Sequence, residues 1–448
     1  MPKQIKIKKG LDIKLVGKSK KNIESFRESN FYGINLLDFP HITPKLLIKK
    51  DQYVKAGSPI FFSKKNEKII FCSPISGIIT EIIRGEKRKI LNIKIKPSYK
   101  KEFLQHKIIT IDSSTRNQII NFFSKTGIFP FIEQRPYGII ADPNDIPKEI
   151  IISAINSAPL SPDIEFILKD KEEIIQLALN ALKKLTLGNI HVTVKNNKSI
   201  FNFLKNIKIY YGIGPHPIGN VSIQIEKISP INKGEKIWTI HAEDLLIIGN
   251  ILQKGIFNLE KIIAISGSKV KNPCYKKIIP GSEISTILFN KIIGNNNRII
   301  DGNILTGIQS NLDKFIGYKS NQITIIEEGN DYDFLGWAKI QKKKFSITRA
   351  FMFSFLNPKK RYNLNTNTNG EVRPFVLTEY LEQVFPQNIY PLELLKAALT
   401  KNIDKLEKLG IYEVVPEDFA LTEFIDISKN NHQKIIKDAI DLMIKEFG

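Results

Sequence analysis

Cysteine is nearly absent: Cys72 and Cys274 are the only two in 448 residues, about two hundred positions apart and outside any CxxC spacing. Two thiols so placed suit a reducing compartment and exclude a disulfide framework. They also exclude an iron–sulfur cluster held within this chain, because such clusters normally take four thiolates. Long apolar runs are missing too, and no stretch approaches the roughly 18 residues that a membrane-spanning helix requires. The basic start, Met-Pro-Lys-Gln-Ile-Lys-Ile-Lys-Lys-Gly, leads into no apolar segment of the kind a secretory signal carries. The expectation is a protein that stays in the cytoplasm and touches a membrane only peripherally. Histidine is sparse: the six are scattered, with no HExxH and no pairing at metal spacing, so no metal site is expected.

What is present is the balance of an ordinary globular protein, 42% hydrophobic and 25% charged. The length suggests roughly three domains. Lysine and arginine total 67 against 45 acids, a net charge of +22. Such an excess attracts anionic lipid, nucleic acid or an acidic partner. Here, however, lysine is spread along the whole chain, whereas nucleic-acid binders concentrate basic residues on one face or in a known motif. A Lys-, Ile- and Asn-crowded sequence with little arginine points to compositional drift, with weak attraction to anionic membrane as a by-product. No nucleic-acid partner is expected.

Four regions follow from local patterning, giving an α+β and α/β multidomain chain. Residues 1–100 show short β segments: Ile5 and Ile7 alternate with lysines, and strand–turn–strand patterns surround Gly57-Ser58-Pro59 and Ser76-Gly77. Residues 101–257 alternate strand and helix. Glu149 to Ala154 reads as a doubly covered strand. Asp170 with Glu173 offers a capping box for the helix that ends near Gly188. Ile190 to Val194 and Ile207 to Tyr211 complete a βαβαβ unit, hence a mainly parallel, Rossmann-like sheet. Residues 258–335 form a β-rich module, and 336–448 a mainly helical end. In that end Leu392, Leu395, Leu399, Ile403, Leu406 and Leu409 present one apolar face that Gly410 terminates.

Three constellations could carry chemistry. Gly212-Ile213-Gly214-Pro215-His216-Pro217-Ile218-Gly219 follows a strand, where a glycine-rich loop can cradle phosphate. Pro215 and Pro217 remove two N–H donors, so a rigid structural or docking loop built on Gly214, His216 and Gly219 is the expectation. His191 lies in a strand and reads as a satisfied core residue. Adjacent acids at Glu172-Glu173 and Glu243-Asp244 suit helix starts, where negative charge complements the dipole. Finally, Phe129 to Tyr137 combines aromatic rings, Arg135 and two prolines in a segment too broken for regular structure. Such a surface can stack a planar ring and hydrogen-bond its carbonyl oxygens, or pack onto a neighbouring domain. No catalytic residue is expected on this chain alone.

The pattern Val54-x-x-Gly57-x-Pro59-Ile60-Phe61, then Ser73-Pro74-x-Ser76-Gly77-Ile78-Ile79, resembles the biotinyl/lipoyl β-sandwich. Its hairpin holds Lys64-Lys65-Asn66 without the Met-Lys-Met or Asp-Lys-Ala signature of a carrier. Ser266-Gly267, Asn272-Pro273 and Pro280-Gly281 resemble the soluble-ligand-binding (SLBB-like) β-grasp module. The order of lipoyl-like, α/β, β-grasp and helical parts is similar to cluster-bearing subunits of ion-pumping oxidoreductases, but two cysteines cannot hold their clusters. Ile7-Lys8-Lys9-Gly10-Leu11-Asp12, Arg84-Gly85-Glu86-Lys87-Arg88, Gly214-Pro215-His216-Pro217, Leu335-Gly336-Trp337, Lys344 to Arg349 and Thr368-Asn369-Gly370 agree nearly end to end with one cluster-free group. On these strings the chain is identified as a member of the family of A subunits of sodium-translocating NADH:quinone reductases. The family often has cysteines near the segment matching Phe419 to Ser428; none stand here.

The resemblance implies one of six subunits, on the cytoplasmic face of the bacterial inner membrane against the membrane-embedded B subunit. It implies no cofactor on this chain, with NADH, FAD, FMN, riboflavin and iron centres on the other subunits, and a part in quinone reduction coupled to Na+ export. Phe131, Arg135 and Tyr137 are the residues chosen here for quinone contact. The alternative is a flavin- or iron–sulfur-carrying member of a related ion-pumping oxidoreductase, which a visible absorption band would reveal.

Overall fold

The computed structural model describes residues 3–329, 345–347, 360–375 and 379–447. The Phe334 to Trp337 string, and Lys344, Thr348 and Arg349, lie outside them.

The first region builds two small antiparallel sheets. One runs in the order Tyr32–Asn35, Ile90–Pro97, Gly77–Arg84, Tyr53–Val54, and the other Pro44–Leu46, Pro59–Ser63, Ile70–Cys72. Alternating apolar positions face inward and bring Phe61 and Phe71 into a stack with centroids 4.4 Å apart. The Lys64-Lys65-Asn66 hairpin is pinned: Asn66 donates to Asp142 at 2.8 Å, and nearby Lys68 reaches Asn144 at 2.9 Å. A swinging carrier hairpin would have to break both bonds.

Seven strands form the central sheet, in the order Lys3–Lys6, Lys208–Ile213, Ile190–Val194, Ile150–Ser153, Ile237–His241, Glu133–Arg135, Ile139–Ile140. The first five pair in parallel and the last two antiparallel. The strand Ile150–Ser153 is buried along its whole length, as its continuous apolar run requires. The opening strand corrects the assignment of the N-terminus to the first β region. Ile5 and Ile7 are buried against Ile155, Tyr210, Ile218 and Ile223 of the central unit. Alternation fixes that one face of this strand is buried, but not against which sheet.

A six-stranded sheet follows, in the order Ile308–Ser310, Asn297–Asp301, Gln322–Glu327, Lys261–Ser266, Cys274–Ile278, Ile23–Glu24. Its last strand again comes from the N-terminal segment, which thus threads two sheets before the first β region begins.

Two helix expectations are corrected. Asp170 caps nothing: it sits at φ 58°, and the helix begins at Glu172 with Glu172 and Glu173 in its first turn. The capping box occurs instead at Thr115 and Gln118, which exchange hydrogen bonds at the start of Arg116–Lys125. The apolar face from Leu392 to Leu409 belongs to two helices, Pro391–Leu399 and Ile403–Lys408. Lys401 turns at φ 53° and Asn402 caps the second helix by accepting from the Lys405 N–H at 3.0 Å. Leu399 consequently stands exposed.

Aromatic contacts tie the units together. Tyr318 lies against Phe39 of the first region at 5.3 Å and Phe131 of the second at 5.5 Å. Among the described residues no helix is long and apolar enough to cross a membrane.

Candidate functional site

Glu133 and Arg135 stand on one face of their short strand, because alternate residues share a face; Gln134 points the other way and accepts from Trp238 Nε1 at 3.4 Å. The neighbouring strand places Thr239 opposite Glu133 and Ile237 opposite Arg135, and ends at His241. That carboxyl end of a parallel strand is where open α/β sheets characteristically receive ligands. From the C-terminal helices, Val415, Pro416 and Glu417 close the opposite wall. Together they enclose a cavity of about 230 Å³, also lined by Tyr137, Gly138, Val221 and Ile240.

Arg135 is the centre of this arrangement. Its side chain is 6% exposed; one terminal nitrogen donates to Ser222 Oγ at 2.8 Å and the other lies 3.4 Å from Glu417. Its Nε is buried without a hydrogen-bond partner. A buried cationic N–H left open is costly unless something polar meets it. Tyr137 adopts φ 82°, between Pro136 and Gly138, and its ring meets Tyr412 edge-on at 5.9 Å.

The surrounding acids sort by their counterions. Loss of solvation raises Glu133, but Lys319 at 2.7 Å, with His241 and Arg135, holds it down to about 2. Burial raises Asp418; Arg135 and hydrogen bonds from the Val415 N–H at 2.9 Å and Asn220 at 3.1 Å oppose this without cancelling it. Glu417 is likewise raised by desolvation and by Asp418, against Arg135. His241 is lowered by desolvation but raised more by Glu243, Asp244, Glu133 and Glu417, so its imidazolium is favoured. Burial brings Asp244 up to about 6. The cavity therefore offers a fixed guanidinium, a phenol, and a histidine among carboxyls able to hold or release protons.

Of the three residues chosen for ring contact, the structure brings Arg135 and Tyr137 together and removes Phe131. Phe131 is 2% exposed in the turn Phe129–Phe131, with Phe129 edge-on to Trp238 at 6.2 Å. The segment is not a broken surface loop: its apolar turn folds inward because full burial of a phenylalanine is worth about 2–3 kcal/mol.

The loop of Gly214, His216 and Gly219 docks inside the chain rather than on its surface. A Cβ on Gly214 would fall 2.5 Å from Ile7 Cγ1, and one on Gly219 2.4 Å from the Ile155 carbonyl. The glycines thus admit neighbouring backbone, leaving no phosphate cradle. His216 is 4% exposed; Ser157 Oγ lies 2.8 Å from its Nδ1, Asp12 accepts from its backbone N–H at 2.9 Å, and burial lowers its pKa to about 4. His191 is a core residue beside Tyr210 at 3.1 Å. No group of three or more potential ligands that could hold a metal occurs among the described residues.

His241 and Glu417 were missed by sequence reasoning. His241 carried a signal, since it ends an apolar strand just before Glu243-Asp244. Glu417 carried none: 282 positions separate it from Arg135.

Comparison with known proteins agrees with the resemblance. Residues 5–98 match the model described as the NqrA N-terminal barrel-sandwich hybrid domain, 114–257 the NqrA second alpha/beta domain, and 262–311 the NQRA C-terminal domain. The Na(+)-translocating NADH-quinone reductase A subunit of Histophilus somni is 28% identical over 446 residues, covering 99% of this chain and 100% of that protein. The same-named proteins of Haemophilus influenzae and of Neisseria meningitidis serogroup B are each 29% identical with the same coverage. Three consecutive domain models and these end-to-end relatives agree: the chain belongs to the family of Na(+)-translocating NADH-quinone reductase A subunits.

Proposed function

We propose that this chain serves a Na+-translocating NADH-quinone reductase as its A subunit: a peripheral member that sits on the cytoplasmic face against the membrane-embedded B subunit. In this reading it carries no cofactor, and NADH, flavins and iron centres belong to the other subunits. The α/β unit acts as a Rossmann-like scaffold without a nucleotide, and the helical end closes the cavity over it. The observation that carries the assignment is the correspondence with A subunits over 99% of the chain. A peripheral position is supported by the lack of a membrane-spanning helix among the described residues. Co-purification from a membrane extract with Na+-stimulated quinone reduction tests it; a chain that purifies without partner subunits would refute it.

The cavity at Arg135 is the proposed quinone contact. Its volume of about 230 Å³ is below the roughly 300–1,000 Å³ of sites for whole drug-sized ligands. It suits a single ring, with any tail outside. The open Nε of Arg135 and the Tyr137 hydroxyl are donors for quinone carbonyl oxygens, which gain negative charge as the ring is reduced. His241 and Glu417 are positioned to supply the accompanying protons. Arg135→Ala and Tyr137→Ala in the assembled complex raise the quinone KM, by about tenfold if one hydrogen bond of about 1.4 kcal/mol is lost. Unchanged kinetics would remove the site.

A further inference from the structure

Cys274 opens the strand Cys274–Ile278 of the six-stranded sheet, next to the N-terminal edge strand Ile23–Glu24. It is fully buried, yet Lys291 Nζ comes within 3.3 Å of its Sγ. Lys291 also makes an ion pair with Glu24, and Lys276, two residues along the strand from the thiol, donates to the Ile287 carbonyl at 2.8 Å. Beside this cluster is an open pocket of about 470 Å³, lined by Glu24, Ser25, Arg27, Lys276 and Phe289. The pocket does not open onto the sulfur itself; it ends at Glu24, the partner of Lys291, and at Lys276, so one layer of side chains separates it from the thiol.

We propose that Cys274 and Lys291 form a redox-modification site, in which peroxide oxidation of the thiol is captured by the lysine amine as a sulfur–nitrogen bond. The thiol sulfur attacks one oxygen of hydrogen peroxide: an S–O bond forms, the O–O bond breaks, and the departing hydroxide takes the thiol proton and leaves as water. The product is a sulfenic acid, the first and reversible step of cysteine oxidation, which nitrogen nucleophiles can condense with to give a sulfenamide. Lys291 passes its extra proton to Glu24, and the neutral amine attacks sulfur. The S–N bond forms, the S–O bond breaks, and hydroxide leaves with an amine proton as a second water. Sulfur has lost two electrons, and one peroxide has become two waters.

The neighbours decide which cysteine reacts. At Cys274 burial and Glu24 raise the thiol pKa, and Lys291, which donates to the sulfur, opposes the rise without cancelling it. At Cys72 burial is the cause that acts, pushing the thiol up to about 12. The bond takes Lys291's charge away from Glu24 and ties the strand Cys274–Ile278 to the segment after the helix Ile284–Ile287. It thereby changes the edge where the N-terminal segment joins this sheet.

The test treats the full chain with hydrogen peroxide, alkylates it, digests with trypsin and weighs the peptides. The expected result is a species joining the Cys274 and Lys291 peptides, lighter by two hydrogens than their sum. Tryptic cleavage after Lys291 is lost and dithiothreitol restores it, while Cys72 stays unmodified. In Lys291→Arg, which keeps a cation beside Glu24, the joined species disappears and Cys274 proceeds to sulfinic or sulfonic acid. The proposal is overturned if the unaltered chain yields only those acids, if Cys274 does not react, or if the joined species survives in Lys291→Arg.

Discussion

Replacing Arg135 by alanine tests whether the wall of the cavity depends on one buried cation. The substitution deletes the 2.8 Å bond to Ser222 and the 3.4 Å contact with Glu417. A hydrogen bond from a charged group contributes about 1.5–3 kcal/mol. The Glu417 side chain is 40% exposed, so solvent screening leaves its pairing worth under about 1 kcal/mol. Together the loss is about 2 kcal/mol, or about thirtyfold in a local opening equilibrium. The reporter is the Val415 amide, which donates to Asp418 Oδ2 at 2.9 Å and should exchange with deuterium about thirtyfold faster in the variant. The pH dependence has a fixed sign. Asp418 and Glu417 are already raised, and losing Arg135 raises them further. A carboxyl whose folded pKa lies above its unfolded value stabilises the fold below the unfolded pKa, and that contribution is lost as pH rises through the folded pKa. The defect must therefore be larger at pH 8 than at pH 5, and adding Glu417→Gln should recover part of it at pH 8. A defect that is equal at both pH values, or larger at pH 5, would refute the electrostatic account.

Other consequences are equally direct. Glu133 is held at about 2, so its pairing with Lys319 contributes stability above the ordinary carboxylate range that is lost as pH falls toward 2; Lys319→Met should abolish that acid-dependent step in a proteolysis profile. Asp38 is raised to about 6 by burial, although it accepts the Tyr318 N–H at 2.9 Å; Asp38→Asn should therefore raise the melting temperature at pH 8 and leave it nearly unchanged at pH 4. Asn402→Ala removes the cap that separates the two helices and should cost about 1 kcal/mol in the C-terminal unit, read by hydrogen exchange at Lys405.

The central sheet was the most legible part of the fold. Its strands at Ile150, Ile190 and Lys208 are short and fully or largely apolar, so periodicity and length suffice to place them. The helix ends were less so, because a cap depends on one residue's dihedral: Asp170, with its suitable side chain, turns left-handed at φ 58° and takes no part. The apolar spacing that continues from Leu399 into Ile403 hides the break at Lys401 for the same reason. At the site, Arg135 and Tyr137 were visible because polar and aromatic residues beside proline stand out in an apolar neighbourhood. Phe131 shares that neighbourhood and reads identically, yet only the tertiary position of Tyr318, 187 residues on, decides that it faces inward. No local pattern could supply Glu417, since the cavity has its second wall from a unit almost three hundred residues away.

The seams between units explain how a chain with such an excess of lysine keeps acids where they matter. Lys21 pairs with Asp163 at 2.6 Å, Lys319 with Glu133 at 2.7 Å, Lys233 with Glu407 at 2.7 Å, and Lys291 with Glu24. Each joins segments that are far apart in sequence. The two with an exposed lysine, Lys21–Asp163 and Lys233–Glu407, contribute about 0–1 kcal/mol apiece and set register more than strength. Strength comes from buried contacts: Tyr318 against Phe39 and Phe131, and the N-terminal isoleucines at the edge of the central sheet. The N-terminal segment bonds to the central unit through Lys3–Lys6 and to the third through Ile23–Glu24, so those two units cannot part without tearing a strand from a sheet. The C-terminal wall is attached differently. At the cavity it meets Arg135 and Asn220 through carboxylates, polar contacts that one change of charge can weaken, while beside it Val384, Ala420 and Leu421 bury against Ile13, Leu15, Leu160 and Leu305. The wall that presents Arg135 is thus fixed by strand pairing, and the wall that presents Glu417 by apolar packing together with polar contacts at the cavity itself.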